Sequence, residues 1–128
     1  MIGIVVVSHS ARAAEGVVEI AAEMAGDARL VPAGGGPDGD VGTLAPRIES
    51  AIREADDGDG VVVLVDLGSA VMNAEVAIVT VGEDVDARLV DAPLVEGALN
   101  AAVAAGSGAS IEDVIARAEE AWEYRKLD

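Results

Sequence analysis

The sequence predicts an α/β fold with a single open, mostly parallel sheet and helices on both faces. Short apolar runs rich in Val and Ile alternate with longer segments whose apolar residues recur every three or four positions. Continuous apolar runs are typical of strands buried on both faces of a parallel sheet, and the longer period is that of helices. Their alternation indicates strand–helix–strand units. We expect one domain, residues 1–128, because this length fits a single core.

Four strands are predicted, and turn residues bound each of them. They cover residues 2–7, 30–31, 61–65 and 88–90. The first strand ends at Ser8-His9-Ser10. The third is the strongest strand signal, and it runs from the polar turn at residues 56–60 to Asp66.

Helical segments follow the strands, and two are expected to begin at side-chain caps. The first predicted helix is an Ala-rich segment up to Gly26, and the second contains Leu44, Ile48 and Ile52. The third runs from Ala70 to about Val79, the fourth from Pro93 to about Gly106, and the last ends near Arg125. The first helix is expected to bury Val17, Ile20 or Ala21, and Met24. Thr43 is the predicted N-cap of the second helix, with Pro46 in its first turn. Ser110 with Asp113 resembles a capping box, and packing is the expected role of Trp122 and Tyr124.

The expected strand order brings two chemically active side chains together. An order of 2-1-3-4, with an extra edge strand left open, makes the first and third strands neighbours. Ligands of such sheets lie beyond the carboxyl ends of the strands, where the strand order reverses. His9 follows the first strand and Asp66 ends the third. We therefore expect these two residues to meet.

His9, the only histidine, is the candidate nucleophile. A neutral imidazole attacks phosphorus with one nitrogen while the other donates its N–H to an acceptor. Asp66 is the candidate acceptor, which would orient the ring and stabilise the charge that develops on it. The competing interpretation is a histidine that only caps a loop. The position of His9 at a strand end, opposite an Asp, favours a phosphohistidine relay.

Small residues around His9 are candidates for holding the phosphoryl oxygens. Free backbone N–H groups at the start of a helix bind such anions. The predicted phosphoryl-binding residues are Ser8, Ser10, Gly35, Gly68 and Ser69. The glycine-rich residues 34–39 lack the Lys-Ser or Lys-Thr of a nucleotide-binding P-loop, so we interpret them as a wall of the site. With one His and no Cys, no metal site is expected.

The charge of the chain disfavours several classes of partner. Its 24 Asp and Glu against 8 Lys and Arg give a formal charge of -16, which repels nucleic acid and anionic membranes. Its apolar runs fall short of the ~20 residues of a membrane helix, and no signal peptide is evident, so we expect a soluble cytoplasmic protein. An acidic surface with few Lys is also typical of proteins adapted to concentrated salt.

Three separated segments carry a resemblance to a known family. They are Ile-Val-Val-Val-Ser-His-Ser near the N-terminus, Ala-Gly-Gly-Gly with Asp-Gly-Asp-Val-Gly-Thr around residues 33–43, and Asp-Leu-Gly-Ser-Ala-Val-Met-Asn-Ala-Glu at 66–75. In order and spacing the chain resembles the phosphotransferase subunits of dihydroxyacetone kinases, the DhaM family. It is more distantly similar to mannose-type enzyme IIA domains of the sugar phosphotransferase system. The resemblance covers essentially the whole chain.

This resemblance implies a phosphoryl relay. His9 matches the family's phosphorylated histidine, Asp66 the carboxylate that orients it, and Gly68 and Ser69 the phosphoryl pocket. The implied donor is a separate carrier protein, HPr, charged from phosphoenolpyruvate by enzyme I. The implied acceptor is ADP on the DhaL subunit, with DhaK binding dihydroxyacetone, so this chain would bind no cofactor itself. The family also implies a homodimer. Leu44 departs from its pattern, in which Gly-Thr is commonly followed by Ser.

Several alternatives remain open at the level of sequence. A mannose-type enzyme IIA would use the same His9 and Asp66 but pass phosphate to a sugar-transport IIB domain. A receiver-like module would phosphorylate Asp66, yet the acidic cluster after the first strand and the late Lys of such modules are missing. A histidine phosphatase or mutase would have Arg where Ser8 stands. A non-catalytic interaction domain is the last alternative.

Overall fold

A four-stranded parallel sheet forms the centre of the fold in a computed structural model that describes residues 1–128. The strands are β1 (Gly3–Ser8), β2 (Leu30–Gly34), β3 (Val61–Val65) and β4 (Ala87–Val90). Their order is β2-β1-β3-β4, and every neighbouring pair is parallel. The predicted order is confirmed, and the sheet has no additional edge strand.

Five helices connect and cover the strands. They are α1 (Ala11–Met24), α2 (Ala45–Ala55), α3 (Val71–Val81), α4 (Leu94–Gly106) and α5 (Ile111–Glu119). Short 3-10 turns occupy Gly68–Ala70, Gly82–Asp84 and Glu120–Glu123. None of the five helices combines the length and the apolar composition that a bilayer crossing requires.

The two faces of the sheet bury separate hydrophobic cores. Successive residues of β1 alternate between them, so that Ile4 and Val6 pack with α1, α4 and α5. Val5 and Val7 face the other way and pack with α2 and α3. The helices contribute mainly Ala to both cores, which lets their backbones approach the sheet closely. Burial on both faces explains why the β1 and β3 sequences are continuous apolar runs.

Helix starts agree with the sequence prediction in one case and differ in another. Ser110 caps α5 as predicted, because its hydroxyl accepts from the Asp113 N–H at 3.2 Å. Thr43 is not the cap of α2; the helix begins one residue later, after the extended Leu44. The Thr43 hydroxyl instead accepts from the Asn73 side-chain amide at 2.7 Å. A contact with a distant segment has replaced the local cap.

Large side chains at three predicted packing positions, Met24, Trp122 and Tyr124, lie exposed. Met24 is 66% exposed, whereas Val17 is buried as predicted. Of the two alternatives Ile20 and Ala21, α1 buries Ala21, and Ile20 is 51% exposed. α5 ends at Glu119, earlier than predicted, and Trp122 beyond it is 62% exposed. The Trp122 indole N–H donates to the Asp91 carbonyl at 2.9 Å. Tyr124 is exposed too, and its hydroxyl accepts from the Asn100 amide.

The register of β1 and β3 positions the candidate site. Val7 and Val65 are partners in this pair, and the Asp66 N–H donates to the Val7 carbonyl at 3.1 Å. Ser8 pairs on its other side with Gly34 of β2. The residues that follow β1 and β3 therefore emerge side by side at the carboxyl edge of the sheet.

We predict that Gly34→Ala destabilises the fold by about 1–3 kcal/mol, because an added methyl group is overpacked against backbone. A Cβ at Gly34 would lie 2.6 Å from the Ser10 carbonyl oxygen and 2.9 Å from the Ala11 Cα. Urea denaturation in KCl measures the effect. The control is Gly16→Ala inside α1, where a Cβ meets nothing within 4 Å. This control should gain up to about 1 kcal/mol. Equal stability of Gly34→Ala and the wild type would contradict the prediction.

Candidate functional site

An imidazole–carboxylate pair lies at the carboxyl edge of the sheet, as predicted. The His9 Nδ1 and the Asp66 Oδ1 are 3.0 Å apart, and both side chains are 20% exposed. The two residues are 57 positions apart in the sequence. The neighbouring positions of β1 and β3 in the sheet are what bring them together.

The Asp66 carboxylate is held by four hydrogen bonds. Oδ2 accepts from the Ser8 hydroxyl at 2.9 Å and from the His9 backbone N–H at 3.0 Å. Oδ1 accepts from the Leu67 N–H at 2.7 Å and contacts the His9 ring. Burial by itself raises the pKa of Asp66, but these hydrogen bonds favour the charged form more strongly and lower its pKa overall. The carboxyl is therefore ionised at neutral pH.

The ionised carboxylate determines which ring nitrogen of His9 is free. A carboxylate only accepts hydrogen bonds, so the Nδ1 facing Asp66 carries the proton in the neutral ring. Nε2 then holds the lone pair. The Ser69 hydroxyl lies 2.9 Å from Nε2 and donates to it. Nε2 points to the open side of the site, where Gly68 and Ser69 are exposed.

Unused backbone donors lie beside Nε2. In the Gly68–Ala70 turn the Ala70 N–H bonds to the Leu67 carbonyl, while the Gly68 and Ser69 N–H groups have no acceptor in the chain. The turn leads directly into α3, so the positive end of that helix dipole is at the same place. These donors can hold anionic oxygens next to the imidazole.

The other three predicted phosphoryl-binding residues have different contacts. Ser8 is 2% exposed, and its hydroxyl donates to Asp66 and accepts from the Ser10 N–H at 3.1 Å. The Ser10 hydroxyl caps α1 by accepting from the Ala13 N–H at 3.2 Å. The Gly35 N–H donates to the Ser8 carbonyl at 3.3 Å. With these contacts Ser8 and Gly35 hold the His9 loop in position, and their assignment to the phosphoryl pocket stays a prediction.

Arg47, which the sequence analysis did not single out, organises the glycine-rich wall of the site. Its Nη1 donates to the carbonyls of Gly34, Gly35 and Gly36 at 2.9, 3.1 and 3.3 Å. The same wall contacts the nucleophile, because the Gly42 N–H donates to the His9 carbonyl at 2.9 Å. The sequence signal for this contact was the presence of an arginine shortly after the glycine-rich segment in a chain that has very few cationic residues.

Asn73 is a second residue that sequence reasoning missed. Its amide donates to the hydroxyl and the carbonyl of Thr43, at 2.7 and 3.3 Å. This contact links α3, which follows the free donors, to the end of the glycine-rich wall. An amide side chain inside an otherwise apolar helical segment was the signal for it.

The fold and the site together define a class of protein: a parallel α/β domain with an oriented histidine at the point where the strand order reverses. The family described as "PTS system fructose IIA component" matches residues 3–115. The chain therefore belongs to this enzyme IIA family.

Relatives named DhaM confirm the resemblance that the sequence motifs carry. The chain is 41% identical over 132 residues to the "PEP-dependent dihydroxyacetone kinase, phosphoryl donor subunit DhaM" of Escherichia coli (strain K12), covering 98% of this chain and 28% of that protein. It is 40% identical over 106 residues to a phosphoryl donor subunit DhaM of Listeria innocua, covering 80% of this chain and 85% of that protein. This chain thus spans 26–28% of the length of the first four such relatives and most of the Listeria one.

Solved structures agree on the fold. A crystal structure of a protein of unknown function has a TM-score of 0.82 and 35% identity, and the match covers 93% of each chain. The phosphotransferase system component EIIA of Streptococcus agalactiae has a TM-score of 0.72 at 18% identity. That match covers 100% of this chain and 97% of the other.

We predict that the stabilising effect of Asp66 disappears in acid. Because its pKa is lowered in the folded state, its contribution is complete above the unfolded pKa of about 3.9 and is lost as pH falls through the folded pKa. Asp66→Asn should cost about 1–3 kcal/mol at pH 7. The difference from the wild type should shrink between pH 5 and pH 2.

Denaturant titrations at several pH values in KCl measure this difference. Asp27→Asn is the control, because Asp27 is exposed and forms no hydrogen bond within the chain. Its difference from the wild type should stay small throughout. A constant Asp66→Asn difference from pH 7 to pH 2 would show that the carboxylate charge does not stabilise the site.

Proposed function

We propose that the chain is the phosphoryl-carrying subunit of a phosphoenolpyruvate-dependent dihydroxyacetone kinase. His9 accepts a phosphoryl group from HPr and passes it to ADP on the DhaL subunit, whose partner DhaK holds dihydroxyacetone. The observation that carries the proposal is the His9 ring, whose Nδ1 is committed to Asp66 and whose Nε2 lone pair is directed to an open site. The relatives named phosphoryl donor subunit DhaM support the assignment of the kinase.

The transfer step follows from the geometry of the ring. The Nε2 lone pair forms the bond to phosphorus, while the bond from phosphorus to the donor's leaving atom breaks and its electron pair stays with the donor. The Nδ1 proton remains between the ring and Asp66, so the carboxylate stabilises the positive charge that develops on the imidazole. For onward transfer, a terminal phosphate oxygen of ADP attacks phosphorus and the electron pair of the N–P bond returns to Nε2.

Ser69 exchanges acceptors during this step. In the resting site its hydroxyl occupies the Nε2 lone pair, so it must rotate away as phosphorus approaches. A phosphoryl oxygen then becomes its acceptor, together with the unused N–H groups of Gly68 and Ser69. The hydroxyl thus serves both the resting and the phosphorylated form.

The glycine-rich wall supports the placement of ADP on the partner subunit. A nucleotide-binding loop needs free backbone N–H groups, whereas the Gly35 and Gly36 N–H groups bond to the Ser8 and Asp40 carbonyls. The carbonyls of the same loop face Arg47. In our proposal this chain therefore carries phosphate covalently and holds no cofactor.

Two alternatives differ in how well the site supports them. A mannose-type enzyme IIA that serves a sugar-transport IIB domain would use the same His9 and Asp66, so only the acceptor distinguishes it. A receiver-like module phosphorylated on Asp66 is disfavoured, because both carboxylate oxygens already accept hydrogen bonds. A non-catalytic interaction domain would have no use for the oriented His9 ring or for the unused N–H donors of Gly68 and Ser69 beside it.

Helix α3 supports the proposal of a homodimer. Its outer side presents Met72, Val76 and Val79, which are 73%, 48% and 78% exposed. These residues recur at helical spacing and form one apolar strip. A second copy of the chain packed against α3 would cover the strip.

The central experiment follows phosphate from phosphoenolpyruvate to ADP. With enzyme I and HPr in molar KCl, we expect an acid-labile, base-stable phosphate on Nε2 of His9, located by ³¹P and ¹⁵N NMR. His9→Ala should take up none, and Asp66→Asn should be labelled more slowly. ADP-loaded DhaL should then remove the phosphate and form ATP. Equal labelling of His9→Ala would refute the relay, and a charged His9 that DhaL cannot discharge would favour the mannose-type alternative.

We further propose a salt-adapted cytoplasm as the setting of the protein and predict that KCl stabilises it. With a formal charge of -16, self-repulsion is weakened as the screening length falls from ~10 Å at 0.1 M to ~3 Å at 1 M salt. The thermal midpoint should rise between 0.1 and 3 M KCl. A double variant, Glu19→Gln with Glu23→Gln, should show a shallower rise, because it removes two exposed like charges four residues apart on α1. A flat KCl titration would indicate an ordinary acidic protein.

A further inference from the structure

Arg12 is an exposed cation without a partner, three residues beyond His9. The chain has 8 Lys and Arg residues. Those with a hydrogen bond or ion pair are Arg29, Arg47, Arg53, Arg88, Arg117 and Lys126. Only Arg12 and Arg125 have none, although 24 carboxylate residues are available as partners. Arg12 alone of these two lies in the first turn of a helix that begins at the site.

Helix stability does not explain this arginine. Ser10 is the N-cap of α1, so Arg12 is the second residue of the helix. Cations are unfavourable there, because the helix N-terminus carries a partial positive charge. The first turn of α1 contains no acidic residue that would compensate. Residues that are unfavourable for local stability, as this cation is at a helix N-terminus, are expected at functional positions.

The geometry of α1 directs Arg12 to the site edge. The residues that α1 buries are Ala14, Val17 and Ala21, and Arg12 lies on the opposite, outer side. Cα–Cβ bonds of a helix tilt toward its N-terminus. For α1 this is the carboxyl edge of the sheet, where His9 and the unused donors of Gly68 and Ser69 lie. A long side chain at this position is therefore able to reach that edge.

We propose that Arg12 binds a phosphoryl oxygen while the group moves between the partner protein and Nε2 of His9. This inference rests on the proposed function and adds the missing cation to it. The donors already described are neutral, whereas a phosphoryl group brings about two negative charges into a chain at -16. The guanidinium donates planar, charge-assisted hydrogen bonds to phosphoryl oxygens and stays protonated throughout. Arg12 forms no covalent bond; the bonds that form and break at phosphorus are those between phosphorus and the donor, Nε2 and ADP in the proposed transfer step.

The test compares Arg12→Gln with a matched variant, Arg29→Gln. Both remove one positive charge, but Arg29 precedes β2 and so lies at the opposite edge of the sheet from His9. Arg12→Gln should lower kcat/KM for phosphoryl transfer from HPr at least about tenfold. Arg12→Lys should recover part of this loss, and Arg29→Gln should stay within about twofold of the wild type. The thermal midpoint of Arg12→Gln should equal or exceed that of the wild type, because a cation has left the helix N-terminus.

Binding of inorganic phosphate separates this inference from the relay itself. Amide chemical shifts of Gly68 and Ser69, followed by NMR during a phosphate titration, should report weaker binding to Arg12→Gln and unchanged binding to Arg29→Gln. If His9 takes no label yet phosphate binding depends on Arg12, the relay fails and the Arg12 site stands. If His9 is labelled and Arg12→Gln transfers at the wild-type rate, Arg12 has no role. If transfer falls while phosphate binding is unchanged, Arg12 contacts the partner protein and the inference is overturned.

Discussion

The buried carboxylate of Asp66 is the interaction on which the site depends. It accepts hydrogen bonds from Ser8, from the backbone of His9 and from the ring of His9, so it joins the ends of β1 and β3. A shift of one residue between these strands would turn Asp66 toward the opposite face of the sheet. The orientation of the imidazole is therefore a consequence of strand register, and the two hydrophobic cores that set the register also set the chemistry.

The strand order and the meeting of His9 with Asp66 could be predicted from the sequence, because buried strands and their ends leave local signals. The contacts of Arg47 and Thr43 could not, since each depends on a segment brought close only by the fold. The contacts of Ser8 could not be predicted for the same reason: its position beside His9 is visible in the sequence, but its burial against the Asp66 carboxylate is not. Local patterns predict which backbone edge carries the site, and tertiary packing decides which hydroxyls remain free.

Charge is distributed unevenly between the surface and the site. The chain is strongly acidic, while the open edge near His9 offers the unused backbone N–H groups of Gly68 and Ser69 and the Ser69 hydroxyl, to which Arg12 adds a cation in our proposal. The net negative charge opposes the approach of a free anion, and the donors at this edge oppose that repulsion locally. A partner protein with a basic surface would be attracted by the acidic surface, and in the proposed relay its phosphoryl group would be received at the edge that carries these donors.

The hydroxyl of Ser69 on Nε2 has a consequence for the energetics of a carrier. A group that is loaded and unloaded repeatedly must not be held too firmly in either state. In the proposed relay, the incoming phosphorus would displace the Ser69 hydroxyl from Nε2, and a phosphoryl oxygen would become its new acceptor. The empty and the loaded forms would then satisfy similar numbers of polar contacts. Such a balance would keep the free energies of the unphosphorylated and phosphorylated forms close, so that the phosphoryl group would be released as readily as it is accepted.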